Sequence, residues 1–272
     1  MIYTKNLSYS PLFKPNDDPM LLAIDIGNSN ITAGFFKEQW QYHWRLVTQV
    51  NKTPGRYEAL LRSLFRKENI ETHQIEAVVV SSVVPHLNPS FDKVLSNIFD
   101  YRPTWVSPAN AGIKVSIDNP NEIGTDLLAN AVAGYAKSRS SCIVVDFGTA
   151  LSMTVVGQQG DLLGVSIAPG LGSALKSLTS NTAQLSAVSL VAPKSAIGKN
   201  TTDAIRSGIV LGYLGLVEHL LMRIKAELEG DIEVVATGGM VEVIAPLTNQ
   251  FDAIDPWLTL DGLRLIYERN QR

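Results

Sequence analysis

Two stretches of this chain share one grammar. LLAIDIGNSNITAGFF (21–36) and CIVVDFGTALSMTVVG (142–157) each run as an apolar strand into an aspartate, pass a glycine-containing polar turn, and return as a second apolar strand. Aligned on the turns, Asp25-Ile26-Gly27-Asn28-Ser29 falls over Asp146-Phe147-Gly148-Thr149-Ala150. Such a repeat constrains the fold more than any single motif does, because each copy has to bury its apolar face in the same way. The flanking pattern extends it. LLAIDI, ITAGFFK and WQYHWRLV read as three strands, followed by the helix TPGRYEALLRSLFRKEN, the strand IEAVVVSSVVP and the helix PSFDKVLSNIF. The second half repeats three strands, then has helices at 170–179 and 201–229, the strand IEVVAT and a last helix, LTLDGLRLIYERN. Between the halves lie the strand candidate PTWVS and the small-residue helix NEIGTDLLANAVAGYAKS, for which Thr125 is the expected N-cap. The pattern is that of an α/β chain of two lobes, 21–138 and 139–272, and 272 residues suffice for each to bury a core. Residues 1–20 contain three prolines and no continuous apolar run, so they read as a loose extension rather than a signal peptide.

In each turn the carboxylate ends a buried strand and the glycine lets the backbone approach a ligand closely. Backbone N–H groups that point one way suit phosphate oxygens, and the carboxylate suits a metal ion or its water shell. Two such turns facing each other across a cleft would grip a nucleoside triphosphate. Asp, Gly and Asn are also ordinary hairpin residues, so it is the repetition that carries the reading.

Several function classes lack support. Net charge is −3 with no clustered Lys or Arg, so no nucleic-acid partner is expected. Cys142, the single cysteine, lies in an apolar run and forms no internal disulfide, which suits a reducing, cytoplasmic compartment. The apolar helix from Ala204 to Leu228 carries Arg206, Glu218, His219, Arg223, Lys225 and Glu227, and is expected to be a helix of a soluble protein rather than a membrane span. His43, His73, His86 and His219 show no paired metal or triad spacing, and Ser81-Ser82 lacks the glycines of a nucleophile elbow.

IDIGNSN and VVDFGT resemble the two phosphate motifs of the acetate and sugar kinase, actin and heat-shock ATPase superfamily. More closely, the chain resembles the type III pantothenate kinases from about Leu21 to Asn270. The matching pieces run in family order: DIGNSN, WR (44–45), SSVVP, NPNEIGTD, DFGTA, IAPG, IGKNT, SGIVLGYLG, ATGGM and LTLDGL. The resemblance implies a duplicated actin-like (ribonuclease H-like) ATPase fold, two lobes each with a mixed sheet flanked by helices. It implies phosphorylation of pantothenate by ATP with Mg²⁺, in a homodimer, as the first step of coenzyme A biosynthesis.

By the same resemblance Asp25, Ile26, Gly27, Asn28, Ser29, Asn30, Ile31 and Thr32 bind the ATP phosphates, and Thr149 adds a contact. Asp146 is the implied site of a monovalent cation, potassium or ammonium, and Gly238-Gly239 border the adenosine; locally those glycines read equally well as a helix-start turn. Asp126 is the implied general base, although an acidic residue in the first turn of a helix is favoured by the macrodipole in any case. Gly124, Thr125, Asp126, Leu127, Ile117 and Thr201 fall on the pantothenate site, with Thr201 supplied across the dimer; locally Thr201 would also cap the long helix, with Asn200 its rival. Two positions depart from the family pattern. Leu127 stands where the family has an arginine and Ile117 where it has a tyrosine, and a leucine cannot form the guanidinium fork that suits the pantothenate carboxylate. Arg102, Lys114 and Lys199 are the cations considered as replacements. Two other classes fit the turns less fully: a non-catalytic nucleotide-binding regulator, and an actin-like polymer or chaperone ATPase.

Overall fold

The computed structural model describes residues 20–180 and 188–271, so residues 1–19 of the N-terminal extension fall outside the described residues. The strands are β1 (Leu21–Ile26), β2 (Asn30–Lys37), β3 (Gln39–Val47), β4 (Ala77–Ser82), β5 (Thr104–Trp105), β6 (Ser141–Phe147), β7 (Ala150–Val156), β8 (Leu162–Pro169), β9 (Ile232–Thr237) and β10 (Ala253–Ile254). The helices are α1 (Pro54–Lys67), α2 (Asn88–Ile98), α3 (Thr125–Ser138), α4 (Leu171–Ser180), α5 (Thr201–Lys225), α6 (Val241–Ile244) and α7 (Leu258–Asn270). The expected elements are present. The short α6 and β10 were not visible as patterns, because four and two residues are too few to show a period.

The chain divides into two compact units. Of the described residues, one unit holds those up to Gly112, Asn119–Ala133 and those from Thr259 on; the other holds Ile113–Asp118 and those between Gly134 and Leu258. The division therefore falls inside α3, and α7 groups with the first sheet, whereas a single cut at 138/139 assigns it to the second lobe.

In the first unit the strand order is β3-β2-β1-β4-β5, with β1–β2 and β2–β3 antiparallel and β1–β4 and β4–β5 parallel. β1 is apolar on both faces because it lies at the centre of a sheet covered on both sides. Leu22, Ile24, Ile31 and Trp44 face α1 and α2, whose Tyr57, Leu61, Leu64 and Phe65, and Phe91, Val94 and Leu95, recur at helical spacing. α7 belongs to this unit through a buried polar knot. Trp40 Nε1 donates to Asp261 Oδ1 at 2.8 Å, the Arg264 guanidinium pairs with Asp261 and Glu268, and it lies 4.8 Å above the Phe36 ring. A Cβ on Gly34 would come within 2.7 Å of the Trp40 ring and of Leu260, so the glycine is what lets this knot close on β2. Gly262 sits against the Ala129 carbonyl, where α3 and α7 approach too closely for any side chain.

The second unit repeats the topology: β10-β9-β6-β7-β8 is the first order read in reverse, with β6–β7 and β7–β8 antiparallel and β6–β9 and β9–β10 parallel. Ile143, Val145, Phe147, Val234 and Ala236 build its core with Val210, Val217 and Leu221 of α5 and Ile244 of α6. Among the described residues α5 is the one helix long and apolar enough, by length and composition, to cross a membrane; here it buries Ile205, Val210, Val217 and Leu221. Cys142 is fully buried, and burial pushes its thiol up to about 11. The native protein is accordingly expected to resist a thiol reagent at pH 8 that labels one thiol per chain after denaturation, and labelling of the native protein at the denatured rate would contradict this burial.

Candidate functional site

The β1–β2 turn is braced mainly through its carbonyls. Gly27 N–H donates to Asn30 O at 3.0 Å, Val83 N–H to Ile26 O at 3.0 Å, and Thr48 gives its hydroxyl to Gly27 O at 2.6 Å and its N–H to Ser29 O at 3.0 Å. The N–H groups of Asn28 and Ser29 donate to nothing among the described residues, and both residues are exposed. With the negative ends of its peptides used inward, the turn presents positive ends outward, which is the arrangement that binds anions. The side chains of Ile26 and Ile31 are in the core, so these two can meet a phosphate only through their backbone. Asp25 stands beside the turn on the opposite face of β1, level with Thr32 and Ser81.

Thr125 and Asp126 are tied to that same edge. The Thr125 hydroxyl donates to Ser82 O at 3.1 Å and accepts from Ser82 N–H at 2.9 Å, and it lies 2.9 Å from Ser81 Oγ. Thr125 is thus the first residue of α3 and not its N-cap, as expected from the sequence; Leu128 N–H reaches back to Gly124 O, and the threonine side chain is spent on β4 instead. The pair Ser81-Ser82, unremarkable as a nucleophile, is the clamp that holds the start of α3. Asp126 accepts from Leu127 N–H at 2.8 Å through Oδ1, and a Cβ on Gly124 would lie 2.5 Å from that oxygen, so glycine keeps space for the carboxylate. Burial raises the Asp126 carboxyl above the usual aspartate range, while the N–H groups of Leu127 and of Asp126 itself pull it back. A carboxylate made more basic than normal is suited to accepting a proton from a hydroxyl.

The β6–β7 turn is built the same way. Met240 N–H donates to Phe147 O at 3.2 Å, as Val83 does to Ile26 in the first unit, and Thr149 O accepts from Gly170 N–H at 2.9 Å and from Ser173 Oγ at 2.7 Å. The N–H groups of Gly148 and Thr149 again donate to nothing among the described residues. Three glycine turns meet here. Gly238, at φ +95°, is packed so that a Cβ would fall 2.5 Å from Asp146 Oδ1 and 2.6 Å from the Phe147 backbone, and Gly170 abuts the carbonyls of Gly148 and Thr149.

Comparison with known proteins bears on this pair of turns. The family model for type III pantothenate kinase matches residues 21–223. The chain is similar to the type III pantothenate kinase of Geobacter sulfurreducens, at 41% identity over 93% of this chain and 100% of that one, and to that of Moorella thermoacetica, at 40% over 92% and 100%. The chain belongs to the type III pantothenate kinase family. Solved structures show the same fold at low identity. A putative 2-dehydro-3-deoxygalactonokinase from Sinorhizobium meliloti superposes with a TM-score of 0.58 at 12% identity, covering 92% of this chain and 96% of that one. MreB 5 of Spiroplasma citri, bound to AMPPNP, gives 0.55 at 8%, covering 94% and 98%. The fold is the duplicated actin-like ATPase fold.

As a type III pantothenate kinase the chain distributes its family positions between the units. Gly124, Thr125, Asp126 and Leu127 belong to the first, with Asp25–Thr32; Ile117, Asp146, Thr149 and Thr201 belong to the second. Leu127 is 9% exposed and packs as a core residue of α3, so an apolar side chain is satisfied there. Ile117 lies in a segment that borders β8, where Ser116 N–H donates to Leu162 O at 2.8 Å. Asn200 caps α5, accepting from Asp203 N–H at 2.9 Å, so the capping role considered for Thr201 falls to its rival and the Thr201 side chain is exposed. Arg102 precedes β5, and the register Val79↔Thr104 puts it at the end of the sheet remote from Asp25 and Ser81, which removes it as a partner of groups at that edge. Thr48 and Ser173 were not singled out in the sequence, since a lone hydroxyl gives no signal until its carbonyl partner is known.

The donor chemistry fits the ions the family implies. Among the described residues no three His, Cys, Asp or Glu side chains gather as metal ligands. Carboxylates beside turns are donors of the kind hard cations take while keeping waters or borrowing phosphate oxygens, and Asp25 and Asp146 each stand beside a turn, Asp146 in a cradle that a Cβ at 238 would fill.

Proposed function

We propose that this chain transfers the γ-phosphoryl group of ATP to the primary hydroxyl of pantothenate, releasing ADP and 4′-phosphopantothenate, the first step of coenzyme A biosynthesis. The observation that carries the reading is local to the first unit: open turn amides at Asn28 and Ser29, and a basic carboxylate at Asp126 tied through Thr125 to the strand beside Asp25. Phosphoryl transfer needs position and charge stabilisation more than covalent help. The turn amides receive the polyphosphate. Asp126 orients the acceptor hydroxyl and takes its proton as the new O–P bond forms and the bond to the β-phosphate oxygen breaks. Asp25 holds Mg²⁺, which when bound offsets charge on the phosphates; Asp146 holds potassium or ammonium beside Thr149, and Gly238-Gly239 lie against adenosine.

The protein acts as a homodimer in the cytoplasm, with Thr201 of each copy serving the acceptor site of the other, and it needs neither nucleic acid nor membrane. Supporting this is the poorly covered α5 face, which leaves Met222 57% exposed, and Ile197, 78% exposed just before the helix. Pantothenate-dependent ADP release by the full chain tests the function, and ATP hydrolysis that ignores pantothenate overturns it. Leu127→Arg tests the departure at the acceptor site. The variant is expected to lower KM for pantothenate several-fold with kcat little changed and the melting temperature lowered, because an arginine there restores a fork for the carboxylate but sets a charge at a buried position; an unchanged KM means that the carboxylate is bound elsewhere.

A further inference from the structure

Neither phosphate turn contains a positive charge. DIGNSNIT and DFGTA carry two aspartates and no Lys or Arg, although the group they are to hold is a polyanion. The missing cation is on β3. The register pairs Asp25 with Thr32 and Thr32 with Arg45, and on the other side Asp25 with Ser81. Directly paired residues point to the same face of a sheet, so Arg45, Thr32, Asp25 and Ser81 form one row across it. Two strand spacings separate Arg45 from Asp25, about 10 Å between Cα atoms, a gap that an extended arginine and a phosphate group close together.

Three further observations bear on this arginine. It is exposed and forms no ion pair among the described residues, whereas Arg62, Arg206 and Arg264 all do. Its neighbour on the same face, His43, has its pKa lowered to about 4 by burial and then by the Arg45 charge, so at neutral pH the imidazole adds no second positive charge beside it. Its segment is anchored at two points: Arg45 sits in the β2–β3 ladder, and Thr48, three residues on, grips Gly27 O and Ser29 O. The segment that carries the guanidinium is thus the one that shapes the phosphate turn.

We propose that Arg45 is the guanidinium of the phosphate site, donating to the terminal phosphate oxygens of bound ATP from the side of Asp25 away from Asp126. The proposal rests on the kinase reading above. In the row, Asp25 separates Arg45 from Ser81 and from the Thr125 clamp, so Arg45 meets the donor nucleotide and the acceptor is handled from the opposite side. A planar fork matches two phosphate oxygens at once, which lysine cannot do.

The test begins with the wild-type full chain. Pantothenate-dependent ADP release establishes the kinase, and its absence overturns the kinase reading, leaving Arg45 to be judged by calorimetry with MgATP alone. Arg45→Met, which keeps the stem and removes the charge, is expected to raise KM and Kd for ATP by about 10- to 100-fold, to weaken ADP less, and to leave KM for pantothenate within about twofold. Arg45→Lys is expected to recover part of the loss. Thermal denaturation of both variants should match wild type, since the replaced side chain is exposed. Unchanged ATP affinity in Arg45→Met overturns the proposal, as does a rise in KM for pantothenate in place of ATP, which would assign the guanidinium to the acceptor carboxylate.

Discussion

Asp126→Asn is expected to lower kcat by about 10²- to 10⁴-fold while leaving the melting temperature at pH 7 equal to or above that of wild type. The two halves of this expectation share one cause. Burial raises the folded-state pKa of Asp126, so the folded protein binds a proton more tightly than the unfolded chain does. Stability from this group is therefore fully present below the unfolded-state pKa and is lost as pH rises through the raised folded value. Above the raised folded value the desolvated, ionised carboxylate is a standing cost, which an amide of the same shape removes. The same shift sets the acid limb of the rate profile. Turnover by wild type should fall with pH around a value above the ordinary 3.8 of an aspartate, and residual turnover by the asparagine variant should show no such limb. A variant that loses stability and rate together would indicate a structural aspartate, serving its helix terminus rather than the reaction.

Gly238→Ala should have the largest effect on the second turn. The residue has φ +95°, which costs an L-residue about 1–2 kcal/mol, and the new Cβ would fall 2.5 Å from Asp146 Oδ1 and 2.6 Å from the Phe147 backbone, with no flexible side chain at the backbone contact to give way. Overpacking of this kind typically adds about 1–3 kcal/mol, so a total loss of about 2–5 kcal/mol is expected, read as a fall in denaturant midpoint with the slope unchanged. Since the atom displaced is a carboxylate oxygen of Asp146, activation by potassium or ammonium should weaken more than the fold does. Gly172→Ala is the matched control: its Cβ would meet only the Met240 methyl, at 3.7 Å, and should leave both properties near wild type. Equal behaviour of the two variants would separate Gly238 from the Asp146 site.

Much of this protein was legible before its coordinates, and the reason is periodicity. Strands buried on both faces, such as β1 and β6, can hardly be anything but long apolar runs, and α1 and α2 show their buried face every third or fourth residue. The doubled strand-aspartate-glycine pattern marked both β-turns for the same reason, since a buried strand that ends in a carboxylate is conspicuous against its neighbours. Family motifs supplied what periodicity does not: the acceptor, and candidates for the general base and the ion sites. Local sequence makes Thr125 a cap because it offers only the nearby competitor for the hydroxyl, the helix start. The partner it takes, Ser82, is 43 residues away. Thr201 was offered a cap that Asn200 fills, a choice between adjacent residues that turns on backbone dihedrals no propensity resolves.

The order of strands and helices, the duplication and the residue types of the two turns were therefore determined by the sequence itself, through patterns that repeat over distances of two to four residues. The tertiary structure alone decided which carbonyls the turns use up and so which amides remain open, and that Thr48 and Gly170 do the bracing. It alone assigned α7 to the first sheet, through Trp40, Asp261 and Arg264. It also brought Arg45 level with Asp25. A hydrogen bond or a strand register between distant segments is selected by the summed burial of whole faces, and no single stretch of sequence contains that sum.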